Sequence, residues 1–362
     1  MNEIKWLKWF FVSCLFSIIF VAVVNYTVDP FQQFRISNFY DIKFKEQRYL
    51  NAGLAKNYKI NSVVLGTSMT ENFLINEIEE KLNYKNVIKL SISGGVTKEL
   101  ITTLNTAIKH NKIDDVLFGL DIFSLSDNFD KNRFPWFLYE EYSFKSIKDY
   151  LLNSFIFKNS YKYIKSIIHN FIMGGGTMAN LDLNCIYCWS LFVDDSSYSE
   201  ENIYKSWNEN EPGNIHSNRI AFADLKENFD KYWIKTIKEN PNIRFKIFLP
   251  PYSVLFFKKW ESMNVIKDAF KFKEYALSEL LKLKNVEIYD FQVDKNITHN
   301  LSLYKDISHY HQKINTLILE YIKEHKYLVT NENYKSLIED LKNQVYEYQL
   351  PDFITQENFK KE

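Results

Sequence analysis

The chain has 362 residues, 46% of them hydrophobic and 25% charged, and its 45 basic and 45 acidic side chains cancel. That length supports a full α/β core with a large insertion. A zero net charge with scattered Lys and Glu excludes the basic footprint of a nucleic-acid binder, so no nucleic-acid partner is expected.

The first element is the run "WLKWFFVSCLFSIIFVAVV", Trp6 to Val24, close to the roughly 20 residues that a membrane-spanning helix needs. Lys5 and Lys8 lie on its N-terminal side, and no basic residue follows before Arg35. The positive-inside rule then predicts a cytoplasmic N-terminus and an extracytoplasmic remainder. "AVVNYTVD" offers no clean pair of small residues for signal cleavage, which predicts an uncleaved anchor within residues 1–28.

An irregular lead-in with a short helix, "DPFQQFRISNFYDIKFKEQRYLNAGLAKN", precedes an alternation of strands and helices. "INSVVLG" (Ile60 to Gly66), "NVIKLSISGG", "DDVLFGLDIF", "IRFKIFLPPY" and "VEIYDF" read as buried strands. "NFLINEIEEKLN", "TKELITTLNTAIKH", "AFADLKENFDKYWIKTIKEN", "DAFKFKEYALSELLKLK" and "SHYHQKINTLILEYIKEH" read as helices. Such alternation predicts a three-layer α/β/α sandwich around a mainly parallel sheet. It is interrupted at about 124–217 by an aromatic-rich insertion. The expected organisation is a stub and anchor over 1–28, a domain over 29–326 with that insertion, and a polar, partly helical tail over 327–362.

Ligands of such sheets bind at the carboxyl ends of the strands. Ser68 stands there, in "VVLGTSMTENF" after the first strand. It could cap a helix, although Thr70 could do so instead, or it could be a nucleophile. A nucleophilic serine needs a base, and the base needs an orienting group. "YKDISHYHQ", after the last strand, supplies Asp306 and His309 three residues apart. If the segment opens the last helix, both lie on one turn. His311 is a competing base. Gly94 and Gly95 end the second strand, and Asp121 ends the third.

Other signals are bland. Cys185 and Cys188 form a C-x-x-C without a second pair for zinc; a local disulfide and two unpaired thiols both stay open. Cys14 lies in the anchor. "MGGG" lacks the Lys-Ser/Thr of a phosphate loop. His110, His169, His216, His299 and His325 show no ligand spacing. The insertion aromatics Phe134, Trp136, Phe137, Tyr139 and Tyr142 read as its own core rather than a sugar platform.

Three blocks, "GTSMTENF", "SISGG" and "DISHYH", make the chain resemble the SGNH (GDSL-type) hydrolase superfamily. Its membrane-anchored, extracytoplasmic branch, which includes teichoic-acid D-alanylation and alginate O-acetylation proteins, is the nearer likeness. The resemblance spans about Ile60 to Glu324, with Thr67 replacing the usual aspartate before the serine. It implies a Ser68, His309, Asp306 triad and an oxyanion hole from the Ser68 and Gly94 N–H groups, with Gly95 and Asp121 as further oxyanion or substrate-binding candidates. It also implies acyl transfer, such as O-acetyl transfer, on a bacterial cell-surface glycan, or an acyl esterase on the same substrates. No metal or organic cofactor is implied, and a membrane-bound O-acyltransferase partner would supply the acyl donor. The family's G-x-N-D block departs here to "GLDIF". Asp121 lies near the place of an asparagine donor, and an ionised carboxylate there cannot donate and would oppose an oxyanion. A non-catalytic glycan-binding or scaffold role therefore stays open beside the enzymatic ones.

Overall fold

The computed structural model describes residues 3–36, 46–125, 133–173, 183–209 and 220–351. The chain divides into two compact units. One gathers Met1–Lys59, Asn105–Asn111 and Asp130–Leu183; the other gathers Ile60–Leu104, Lys112–Phe129 and Asn184–Glu362.

The first unit starts with the helix Glu3–Val28, 26 residues long and apolar enough to cross a membrane, with its apolar stretch exposed. Only its last turns are covered. There Asn25 is fully buried, donating to Leu151 O at 2.9 Å and accepting from Ser160 Oγ at 2.9 Å, which docks the helix end on Ser154–Ile172. Asp29 then breaks the helix at φ +48 and gathers Gln33 N, Phe34 N and the Tyr150 hydroxyl around its carboxylate. Phe134 packs with Trp136 and Tyr139 at ring distances of 4.5 Å, so these insertion aromatics pack against one another.

The second unit is built on five parallel strands in the order β2-β1-β3-β4-β5. They are β1 (Ser62–Leu65), β2 (Val87–Lys89), β3 (Asp115–Gly119), β4 (Arg244–Leu249) and β5 (Val286–Asp290). The three central strands are rich in Val, Leu, Ile and Phe with few exposed positions, as a sheet covered on both faces requires. Helix Ile75–Leu82 packs on Lys313–Lys323, and Phe222–Asn228 packs on Ile266–Leu280. This is the α/β/α arrangement that the alternation predicts. Chain order reverses across β1 and β3, so their carboxyl ends form the crevice where doubly wound sheets hold ligands.

Two elements differ from expectation. The helix over 221–240 contains a π-helical stretch, Phe229–Ile234. The last helix begins only at Lys313, not at Ser308. The Asp306 carboxylate takes the N–H groups of Ser308 and His309, and Tyr310 bridges back to Tyr304. Those backbone groups are spent in a turn before a helix can use them. Downstream, Val329 N bonds Ile288 O, and helix Tyr334–Glu347 buries Ile338, Leu341 and Val345 within this unit.

Candidate active site

β1 ends at Leu65, and Gly66 follows at φ +151, a conformation that L side chains rarely adopt. A Cβ there would stand 2.6 Å from Thr70 Cγ2 and 3.2 Å from Gly119 O. The glycine thus permits a sharp turn between two packed strands. Ser68–Thr70 then forms one 3₁₀ turn whose N-cap position is Thr67, without a side-chain cap bond. Ser68 is therefore not a cap. Thr70 does not cap either: its hydroxyl bonds Thr67 O at 2.9 Å and meets Ser91 Oγ at 2.7 Å.

The Ser68 hydroxyl points at a histidine instead. Ser68 Oγ lies 2.9 Å from His309 Nε2, across 241 residues of sequence. On the far side of the ring, His309 Nδ1 lies 2.8 Å from Asp306 Oδ2 and 3.0 Å from Oδ1. Asp306 Oδ1 also accepts the N–H of Ser308 at 2.9 Å and of His309 at 2.8 Å, an Asx turn that fixes carboxylate and ring together. Burial alone would raise the Asp306 carboxyl, but the His309 charge, its ring hydrogen bond and the two backbone N–H groups outweigh this. They hold it well below the usual carboxylate range. With Asp306 ionised, Nδ1 carries the proton, and the Nε2 lone pair faces the Ser68 hydroxyl; this tautomer is assigned from the hydrogen-bond network. The His309 and Asp306 side chains are 26% and 28% exposed, so the pair can be reached from solvent.

The two loops that carry these groups are braced. Tyr310 donates to Met69 O at 3.1 Å, tying the residue after His309 to the residue after Ser68. Tyr304, which closes the same loop, donates to Pro251 O at 2.6 Å. Lys89, fully buried in β2, donates to Glu71 O at 2.7 Å and Phe73 O at 2.6 Å, just beyond the Ser68 turn.

Gly94 is exposed at φ +55, and a Cβ there would meet nothing within 4 Å. The Gly95 N–H is spent on Ile92 O at 2.8 Å, and a Cβ there would collide with the same carbonyl. Gly95 thus closes the turn that presents Gly94. Asp121 is buried, and both its oxygens are engaged: Oδ2 accepts from Thr67 Oγ1 at 2.7 Å and Oδ1 from Phe123 N at 3.0 Å. It braces the residue before Ser68 and is not an uncommitted carboxylate. Thr67 and Asp121 thus form one bonded pair.

His311 lies elsewhere, 3.3 Å from Asp195 Oδ1 and with its ring against Tyr198. Cys185 and Cys188 form a disulfide, and Cys14 is a free, exposed thiol. Directly after the disulfide, Trp189 donates from Nε1 to Ser68 O at 3.1 Å and meets the His309 ring edge-on at 5.6 Å. Sequence reasoning missed Trp189; the only local signal is its place behind the C-x-x-C. Among the described residues no group of three or more His, Cys, Asp or Glu side chains could hold a metal ion. His216 and Gly174–Gly176 of the "MGGG" run lie outside the described residues.

No family model matches the chain. Over 112 residues it is 34% identical to a subunit of the Na(+)-translocating NADH-quinone reductase of Chlamydia muridarum (strain MoPn / Nigg), covering 29% of this chain and 26% of that protein. The chain thus spans about a quarter of that relative's length. Among solved structures it is similar to one titled "The structure of a putative platelet activating factor from Streptococcus pneumonia", with 9% sequence identity and a TM-score of 0.37. That match covers 78% of this chain and 92% of the other; at this level of likeness it carries no argument about fold or activity.

Proposed function

We propose that the chain is a serine-dependent acyl-transfer enzyme of the SGNH type, acting with Ser68 as nucleophile, His309 as general base and Asp306 as its orienting group. The observation that carries this is the continuous line from Ser68 Oγ through His309 to Asp306, with contacts of 2.9 and 2.8 Å. Ser68 Oγ attacks the acyl carbonyl while His309 Nε2 takes its proton. The leaving alcohol departs with that proton and leaves an acyl-enzyme. An acceptor hydroxyl, deprotonated by the same nitrogen, then takes the acyl group, and His309 returns that proton to the departing Ser68 Oγ. The N–H groups of Ser68 and Gly94 hold the oxyanion. Ser68 opens a 3₁₀ turn, where the first N–H groups have no partner within the turn itself. Asp121 has both its oxygens committed to Thr67 and Phe123.

The substrate proposed is an O-acetyl group, or a similar short acyl group, on a bacterial cell-surface polysaccharide. Its support is the resemblance of the three sequence blocks; the apolar helix Glu3–Val28, read as an anchor, bears on location alone. A donor must then reach Ser68 outside the cell, which a membrane-bound O-acyltransferase partner would provide. Water in place of the glycan hydroxyl makes the same site an esterase, so hydrolysis of a small acetyl ester is a direct assay. The test is labelling of the purified full chain with a serine-directed phosphonate. Label on Ser68, absent in Ser68→Ala, is the expected result; no label on the native protein would overturn the enzymatic reading in favour of a glycan-binding scaffold.

A further inference from the structure

We propose that Trp189 is a positioning residue that holds the Ser68 turn and the His309 ring in register, with the Cys185–Cys188 disulfide as its anchor. This rests on the serine acyl-transfer reading. Ser68 and His309 stand on separate turns 241 residues apart, and neither turn belongs to the sheet. Something must hold their side chains at 2.9 Å, because displacement of a reacting group by about 1 Å can cost on the order of 10²-fold in rate.

Trp189 reaches both turns with one side chain. Its indole Nε1 donates to Ser68 O at 3.1 Å, and its ring stands edge-on to the His309 imidazole, at 86° and 5.6 Å. Lys305 Nζ sits 4.3 Å over the same indole and 4.0 Å from Asp306 Oδ2, so the third member of the line also borders it. The indole combines a ring against the imidazole and under the ammonium with an N–H for the carbonyl. The next residue repeats the connection. Ser190 N donates to Asn72 Oδ1 at 3.1 Å, Ser190 Oγ donates to Gln312 Oε1 at 3.0 Å, and Gln312 Nε2 donates to Asn72 O at 3.1 Å. This triangle joins the strap to the chain just after Ser68 and just after His309.

A brace works only if it is itself fixed. The disulfide closes directly before Trp189, with Cys188 N bonded to Cys185 O at 3.1 Å and Tyr187 forced to φ +72 inside the loop. Ile186, Tyr187 and Cys188 are buried. Upstream, Asn184 accepts Ile75 N on its backbone and Asn76 N on its side chain, which pins the strap to the start of the helix Ile75–Leu82.

The experiment measures kcat and KM for a small acetyl ester, the rate of Ser68 labelling by a serine-directed phosphonate, and the melting temperature. It compares the full chain with Trp189→Phe, Trp189→Ala and the double variant Cys185→Ser/Cys188→Ser. Trp189→Phe keeps a ring and loses the N–H; kcat should fall about three- to ten-fold, as for one hydrogen bond, with KM within about two-fold. Trp189→Ala should lose on the order of 10²-fold in kcat. The double cysteine variant should fall between them, and labelling should slow in step. Native kcat in Trp189→Phe at an unchanged melting temperature would overturn the proposal, and so would a rise in KM with kcat unchanged, which would make Trp189 a substrate contact. In both cases Ser68→Ala would still be inactive, leaving the acyl-transfer reading in place. Absence of both turnover and labelling in the native chain would remove that reading and this proposal with it.

Discussion

The hydroxyl of Thr67 donates a 2.7 Å hydrogen bond to Oδ2 of Asp121, one residue before the candidate nucleophile. The bond joins the ends of β1 and β3 at the point where the chain order reverses. Burial, and after it the nearby Asp121 charge, push the Tyr252 hydroxyl well above its ordinary range, which keeps that neighbour neutral.

Asp121→Asn should therefore weaken the site. A carboxamide has one oxygen, and the present carboxylate accepts from two donors, Thr67 Oγ1 and Phe123 N. One donor would face an NH₂ group. A stability loss of about 1–3 kcal/mol is expected, with a fall in ester hydrolysis of roughly a few-fold. Thr67→Val should move both quantities the same way. Denaturant melts alongside initial rates decide it: a faster Asp121→Asn at native stability would mean that the carboxylate opposes the oxyanion after all.

Gly66→Ala should be among the most damaging small changes in the chain. The new methyl group would sit 2.6 Å from Thr70 Cγ2, on a backbone at φ +151. Backbone strain and overpacking together predict a loss of roughly 2–5 kcal/mol. Thr70→Ser deletes the atom that the methyl strikes, so the double variant Gly66→Ala/Thr70→Ser should recover part of that loss. No recovery would mean that the strain is in the backbone alone.

Ser68→Ala and His309→Ala should each abolish turnover of a small acetyl ester at nearly native stability. In the proposed mechanism the two act as one unit, so the double variant should lose little beyond either single one. His311→Ala should keep kcat within about two-fold, since its ring faces Tyr198 and Asp195 rather than Ser68. Activity lost in His311→Ala and kept in His309→Ala would reassign the base.

Asp306 also makes folding depend on pH. Its carboxyl is depressed in the folded chain, so its contribution is fully present above the unfolded value near 3.9 and is lost as pH falls from there through the folded value. Urea melts of the native chain and Asp306→Asn should differ most at pH 5 and above. The gap should narrow as the pH is lowered below about 4. A gap of constant size would assign the loss to shape rather than charge.

The five strands and the Asp306–His309 pair were legible because each rests on a short-range pattern: short apolar runs in alternation with helices, and an aspartate three residues before a histidine. What the sequence hid was long-range partnership. Asp121 looks like a misplaced carboxylate until Thr67, 54 residues away, is seen to donate to it. The segment from Ser308 looks like a helix start because its apolar spacing continues into Lys313–Lys323. The Asp306 side chain outcompetes the helix for two N–H groups, which periodicity does not register. Trp189 carries no pattern beyond its place behind the C-x-x-C, since its contacts depend on a carbonyl and a ring brought to it by other parts of the chain.

Lys89 is the clearest such case, and it carries the last prediction. Lysine is almost never fully buried unless paired, yet Lys89 is fully buried at the end of β2. Its ammonium donates to Glu71 O at 2.7 Å and Phe73 O at 2.6 Å, and stands 3.5 Å from Cys188 Sγ. It thus links the chain leaving the Ser68 turn to the disulfide that precedes Trp189. Lys89→Met keeps the length and apolar stem but deprives two carbonyls of their donor. Each carbonyl so deprived costs about 1–3 kcal/mol. The variant should therefore lose roughly 2–6 kcal/mol of stability, and the remaining folded protein should turn over ester more slowly because Glu71 to Phe73 are released. Urea denaturation paired with kcat per folded molecule separates the two effects. Native stability in Lys89→Met would mean that water replaces the ammonium at no cost and that the buried cation does not hold the nucleophile turn.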